Sequence, residues 1–354
     1  MRAGNAPPCS SNNDTSCLRP IASCAYGSFD CNPAVDDVIA QITALPDRGD
    51  SLAFDLGVLT DLPTRSHHWQ SVQRLAAPTG NYLVLSRSTT RAEESDLAII
   101  KVASRDGEGV RLRSNAVAIA PNMLAPTSAS DRIIAEARVD SDHTHAGGTQ
   151  LSGHVLAVPL EAGIPGSGVQ LFDMTDPTQP RSLGTIDHDV PDGAGKSSEA
   201  GTASLARLDT GKFLLVIGRR DARVLDFYLS TSTDIRDTRW EYLDRWRAGE
   251  LRTTIDDTNF GDYQNLQLVA GTDDRLYLVG MHEQGTVFTS QWVDLYVLGG
   301  STDIVLTKVA KRRITCEGCN LDAGGGVYVD PTGELIVYGV EYATVGSTVQ
   351  AMEL

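Results

Sequence analysis

The chain has 354 residues, 33 of them glycine, and a formal net charge of −16. That length holds a large core, either as two ordinary domains or as one large all-β domain. The acidic balance offers no basic stripe for phosphates, which sets aside nucleic acid as a partner. No apolar run approaches the roughly 18–20 residues of a membrane-crossing helix, which sets aside a membrane span.

Residues 1–50 read as an arm rich in Pro, Ser and Asn that carries four of the six cysteines: Cys9, Cys17, Cys24 and Cys31. Six or seven residues lie between successive ones, too many for a zinc site built from closely spaced pairs. Cross-links are predicted within the arm, with Cys316 and Cys319 of "CEGC" joined to each other or pinning it. Disulfides of this kind imply an oxidising compartment, so the protein is expected to be secreted or periplasmic. No hydrophobic signal segment follows Met1, which reads as a mature form carrying an added Met. "PAVDDVIAQITAL" (Pro33–Leu45) has the spacing of a short amphipathic helix.

From residue 51 onward the chain reads as short strands. "SLAFDLGVL" (Ser51–Leu59) is a strand with no neighbour of its own. Five units then repeat a strand, a tight Gly or polar turn and a second strand. They are "HWQSVQRL" with "GNYLVLS", "HAGGTQL" with "GHVLAVP", "EAGTASLARL" with "GKFLLVIG", "DYQNLQLVA" with "RLYLVG", and "DAGGGVYV" with "GELIVYG". Third strands follow at "SDLAIIKV", "SGVQLFDM", "ARVLDFYL", "QWVDLYVL" and "GSTVQAMEL", with "TRWEYLDRW" and "DIVLTKVAKRRI" as outer ones. The stretch 115–142 is too long for a plain connection, and its "DRIIAEARV" can supply the outer strand of the first unit. Units of four strands recurring at about 54 to 77 residues predict an all-β, five-bladed β-propeller over residues 51–354. The fifth unit ends after three strands, so Ser51–Leu59 is expected to complete it and close the ring.

Three of the inner strands share a pattern, a ligand-capable residue at the start and Gln five positions on: His68–Gln73, His145–Gln150 and Asp262–Gln267. In a propeller the inner strands all begin on one face, beside the axis. His68, His145, Glu199, Asp262 and Asp322 are therefore expected to ring the mouth of the channel. The ends of the second strands form a wider ring with Glu283 and with Arg87, Glu161, Arg219, Arg220, His282 and Glu341, the last six read as substrate contacts. Three acids placed close together repel unless something offsets them. A divalent cation held by His68, His145, Glu199 and Asp262 is one remedy, with zinc, manganese, iron or calcium as the ion. A proton shared between acids is the other, and it yields the split pKa values of acid–base catalysis. Gly147, Gly148, Gly201 and the glycines 324–326 leave space for a ligand near the axis; the plainer reading is that crowded inner strands require small residues.

Other motifs lead nowhere. "GVQLFDMTDPTQP" lacks calcium-loop spacing. "GAGKSS" (Gly193–Ser198) lacks phosphate-loop spacing, and no nucleotide cofactor is expected. No G-x-S-x-G elbow occurs. "DHTH" (Asp142–His145) places two histidines on one side of a strand, open to a shared metal or to solvent. "KRR" (Lys311–Arg313) reads as a solvated outer edge.

The architecture resembles the five-bladed propeller glycoside hydrolases, in which inward acids on the innermost strands carry catalysis. Glu199, Asp262 and Asp322 stand in comparable places. The chain departs from that pattern with His68 and His145 on the first two blades. The ring itself is read as the active site, in a central funnel, of a hydrolase or lyase acting on a polar or sugar-like substrate. A small-molecule or carbohydrate ligand and a monomer are expected. Whether the ring is catalytic, or binds glycan or protein without chemistry, is left open by the sequence.

Overall fold

The computed structural model describes residues 18–21, 23–55, 67–89, 95–102, 132–140, 143–162, 166–188, 199–219, 221–284, 290–300, 303–316, 318–342 and 348–354. Cys9, Cys17, Arg220 and the "GAGKSS" segment lie outside them, as do residues 56–59 of the predicted first strand and most of the stretch 115–142.

Five blades surround an axis, as the repeat predicts. Blade one is built from His67–Ala77, Gly80–Thr89, Ser95–Val102 and Arg132–Asp140, so "DRIIAEARV" does supply its outer strand. Blade two has an inner strand broken into His143–Ala146 and Gln150–Ser152, followed by Val155–Ala162, Gly168–Asp173 and Arg181–Asp187. Blade three runs Thr202–Arg207, Phe213–Arg219, Val224–Ser230 and Trp240–Arg247. Blade four runs Asn265–Ala270, Leu276–Gln284, Ser290–Gly299 and Val305–Ile314. Blade five contributes Asn320–Val329, Leu335–Val340 and Thr348–Glu353, and its outer strand is Asp50–Asp55. That last strand pairs antiparallel with the C-terminal one from Asp50↔Glu353 to Asp55↔Thr348, closing the ring by joining the two ends of the chain.

The inner hairpins turn at residues with positive φ in every blade: Gly80, Gly153, Gly211, Asp274 and Gly333. Four of these are the glycines that mark the repeat, and Asp tolerates the left-handed region better than most side chains. Apolar residues on both faces of each blade fill five separate cores, one between each neighbouring pair. Trp69, Phe213, Tyr277 and Tyr338 are among the largest fully buried side chains. The stability of the ring rests on these contacts, since each inter-blade core removes apolar surface from water on two blades at once.

The axis is packed, not open. A Cβ at Gly147 would collide with the Gly201 carbonyl oxygen, one at Gly148 with that of Gln264, and one at Gly326 with that of Val72. The glycines therefore let inner strands touch and leave no ligand space between them. The repeated Gln residues fill what remains. Gln150 accepts from Leu205 N (3.0 Å) and Leu268 N (2.9 Å) and donates to Leu268 O (2.7 Å). Gln267 donates to Thr149 O (2.7 Å), and Gln73 accepts from Leu151 N (3.1 Å). Each of these bonds offsets part of the cost of burying a polar amide. The Gln of the repeat is a plug.

The arm closes the opposite face. Cys24 and Cys31 are joined, and so are Cys316 and Cys319. The Cys24–Cys31 loop lies against the hairpin turns: Phe29 O accepts from His154 N (2.6 Å), Asn32 Oδ1 accepts from Gly153 N (2.9 Å), and the Tyr26 and Tyr328 hydroxyls are 2.8 Å apart. The expected helix is present at Val38–Ala44, capped by Asp37, and buries Val38 and Ile42. No helix among the described residues is long and apolar enough to cross a membrane.

Candidate functional site

With the axis plugged and one face covered, the shallow mouth at the other face is where side chains meet solvent. The inner strands of blades one and two bring His68 and His145 to within 5.6 Å, ring centre to ring centre. His68 stacks on the exposed ring of Tyr342 at 4.9 Å and 21°. The Tyr342 carbonyl is fixed there by the backbone N–H of Trp69 (3.0 Å). Burial holds the pKa of His68 down at about 4, and the neighbouring His145 adds to the depression. His145 Nδ1 in turn lies 2.8 Å from Glu161 Oε2 on the paired strand. One side of the mouth is thus a row of three rings, Tyr342, His68 and His145, backed by one carboxylate.

The other side is acidic. Asp322 heads the inner strand of blade five and is half-buried. Its pKa is pushed up to about 7, first by burial and then by the charges of Asp221, Glu283 and Asp262, against a backbone N–H bond from Gln264. Oδ1 of Asp322 has no hydrogen-bond partner among the described residues. Asp221 is also shifted upward, by burial and then by the charges of Asp262 and Glu161, with Arg223 opposing. Asp262 is exposed and ion-paired with Arg223. Electrostatic contact therefore runs round the mouth from Glu161 through Asp221 to Asp262 and Asp322.

Of the five residues expected at the mouth, four are brought there as two groups, His68 with His145 and Asp262 with Asp322. Glu199 is half-buried at the head of blade three and makes no ion pair with the other four. Among the described residues no set of three or more His, Cys, Asp or Glu side chains is arranged to hold a metal ion. Of the two histidines of "DHTH", His143 Nε2 lies 3.1 Å from Gly166 O and His145 Nδ1 faces Glu161.

The wider ring divides. Glu161 joins the mouth, and Glu341 accepts from Gln350 N (3.1 Å) within blade five. Arg87, Arg219 and His282 turn into their own blades. Arg87 Nη2 lies 2.9 Å from Asp96, Arg219 Nε 2.9 Å from Asp226 and His282 Nε2 3.2 Å from Asp294. All three acids sit on third strands. Arg245 and Lys308 complete the latter two networks from the fourth strands. These buried charges are paired because an unpaired one would cost several kcal/mol. Asp221 and Tyr342 carry no signal in the repeat, because they stand in connections beyond the second strands. An acid inside an otherwise apolar third strand is the signal that could have found the partners of Arg87, Arg219 and His282.

No family model matches the chain, and no curated protein matches it. Among solved structures it is similar over 92% of its length to a candidate glycoside hydrolase from Parabacteroides distasonis (96% of that chain, 12% identity, TM-score 0.46). It is similar over 85% to an endo-arabinase from Bacteroides thetaiotaomicron (96% of that chain, 12% identity, TM-score 0.42). It is similar over 86% to a glycoside hydrolase family 43 enzyme from Xanthomonas citri (91% of that chain, 10% identity, TM-score 0.40).

Proposed function

We propose that the protein is an exported carbohydrate hydrolase whose active site is the mouth of the propeller, with Asp322 as the general acid. The observation that carries this reading is the Asp322 carboxyl, pushed up to about 7, with a buried oxygen that no described residue bonds, beside three other carboxylates. One protonated and one ionised carboxyl flanking a glycosidic bond are what its hydrolysis needs. Asp322 gives its proton to the bridging oxygen as the bond from that oxygen to the sugar carbon breaks. A water adds to the same carbon, and its proton passes to a neighbouring carboxylate, Asp262 or Glu283. Those carboxylates also stabilise the positive charge that develops on the sugar. Tyr342 presents a flat exposed ring backed by a neutral His68, a surface suited to the apolar face of a sugar. The two disulfides favour an oxidising compartment.

The test is release of reducing ends from arabinan, mannan, xylan and β-glucan by the protein and by Asp322→Asn. Cleavage of at least one polymer is expected, reduced at least about 100-fold in the variant with its fold unchanged. No cleavage across the panel, or full activity in the variant, would overturn the reading.

A further inference from the structure

Beside the acid site, between blades three and four, lies a cavity of about 320 Å³. It is at the lower end of the roughly 300–1,000 Å³ range of small-molecule sites, room for one ring and not a chain. Two of its lining residues, Asp262 and Glu283, are the same carboxylates whose charges reach Asp322. The cavity and the acid site are therefore neighbours.

Its floor is Asp294, which is fully buried. Oδ2 of Asp294 accepts from Tyr263 Oη (2.5 Å) and Lys308 Nζ (2.8 Å). Oδ1 has no hydrogen-bond partner among the described residues. Asp294 and Lys308 are both fully buried, so the charged groups open to a ligand are Arg223, Asp262, Glu283 and Lys311. Asp257 holds both Lys308 and Lys311 at 2.9 Å, so four carboxylates stand against three cations around the cavity. An anionic ligand would add to that excess in a partly desolvated space, whereas a neutral polyol adds nothing to it. Interleaved donors and acceptors also match hydroxyl groups, which both give and accept hydrogen bonds.

We propose that this cavity is a sugar subsite that takes one neutral hexose or pentose unit of the substrate chain, next to the unit at Asp322. The proposal rests on the reading of the mouth as a carbohydrate hydrolase. The ring occupies the cavity with one hydroxyl donating to Glu283 and another accepting from Lys311 Nζ.

The experiment is calorimetric binding of arabino-, manno-, xylo- and cellotetraose, with tetragalacturonate as the charged counterpart, to the intact chain carrying Asp322→Asn. Two further substitutions are compared in that background. Gln284→Trp fills the cavity from an exposed position. Lys311→Met removes a donor, together with the ammonium that stands over the Trp292 ring. At least one neutral tetrasaccharide is expected to bind, at least tenfold more weakly after either substitution, and tetragalacturonate more weakly than its neutral counterparts. Failure of every neutral tetrasaccharide to bind, affinity untouched by both substitutions, or tighter binding of tetragalacturonate would overturn the subsite. The two readings fail separately. Cleavage by the unmodified protein with cavity-independent binding removes the subsite alone, and cavity-dependent binding without any cleavage removes the hydrolase alone.

Discussion

Asp322 is placed where its ionised form works against the fold. Its folded-state pKa of about 7 stands above the ordinary carboxyl value of 3.8. The stability it contributes is therefore fully present below about 4 and lost as pH rises through about 7. Replacing it with Asn removes that loss. Thermal melts are expected to show Asp322→Asn more stable than the parent at pH 8, on the order of 1 kcal/mol or more. The difference should shrink towards pH 4, and a variant that is less stable at pH 8 would contradict the burial argument. His68 runs the other way. Its pKa falls from 6.5 to about 4, so its contribution is present above 6.5 and lost as pH drops through about 4. His68→Phe keeps a ring against Tyr342 and cannot take a proton. Acid unfolding of that variant should begin at lower pH than in the parent; an unchanged midpoint would show that His68 is not strained by its charge.

At the scale of the element, the repeated hexapeptide does two jobs with its two ends. The first residue faces the mouth in His68, His145 and Asp262, while Gln73, Gln150 and Gln267 bond across the axis. Gln150→Leu leaves Leu205 N, Leu268 N and Leu268 O without their partner, a loss of at least about 2 kcal/mol by the cost of unmatched buried groups. Chemical denaturation checks it, and a change below about 0.5 kcal/mol would mean the plug is not structural. The hexapeptide also shows what the sequence reveals. Strand, turn and strand recur in print, so the five blades, their order and the closing pair Asp50–Asp55 with Thr348–Glu353 are legible. Which side of an inner Gly is occupied is not legible, because Gly147 and Gly201 meet only when two blades distant in sequence are packed together. Arg87, Arg219 and His282 look like mouth residues for a related reason. A polar side chain at a strand end reads as exposed until Asp96, Asp226 and Asp294 on the next strand are seen to bury it. Asp221 and Tyr342 lie in connections, which carry no periodicity to betray them.

For the molecule as a whole, closure leaves one working face. The two chain ends share a blade, the Cys24–Cys31 loop covers the turn side, and the Gln plug fills the axis. The remaining mouth sets an aromatic side against an acidic one, and an acid–base role for it makes a demand on the intact protein. The rate of hydrolysis must depend on a group that is protonated below about 7. The most direct measurement is the pH dependence of kcat/KM on the polymer that the protein cleaves. The account predicts a rate that falls tenfold per pH unit above about 7, with no such limb in the residual activity of Asp322→Asn. A rate that stays level, or rises, from pH 6 to pH 9 would contradict it.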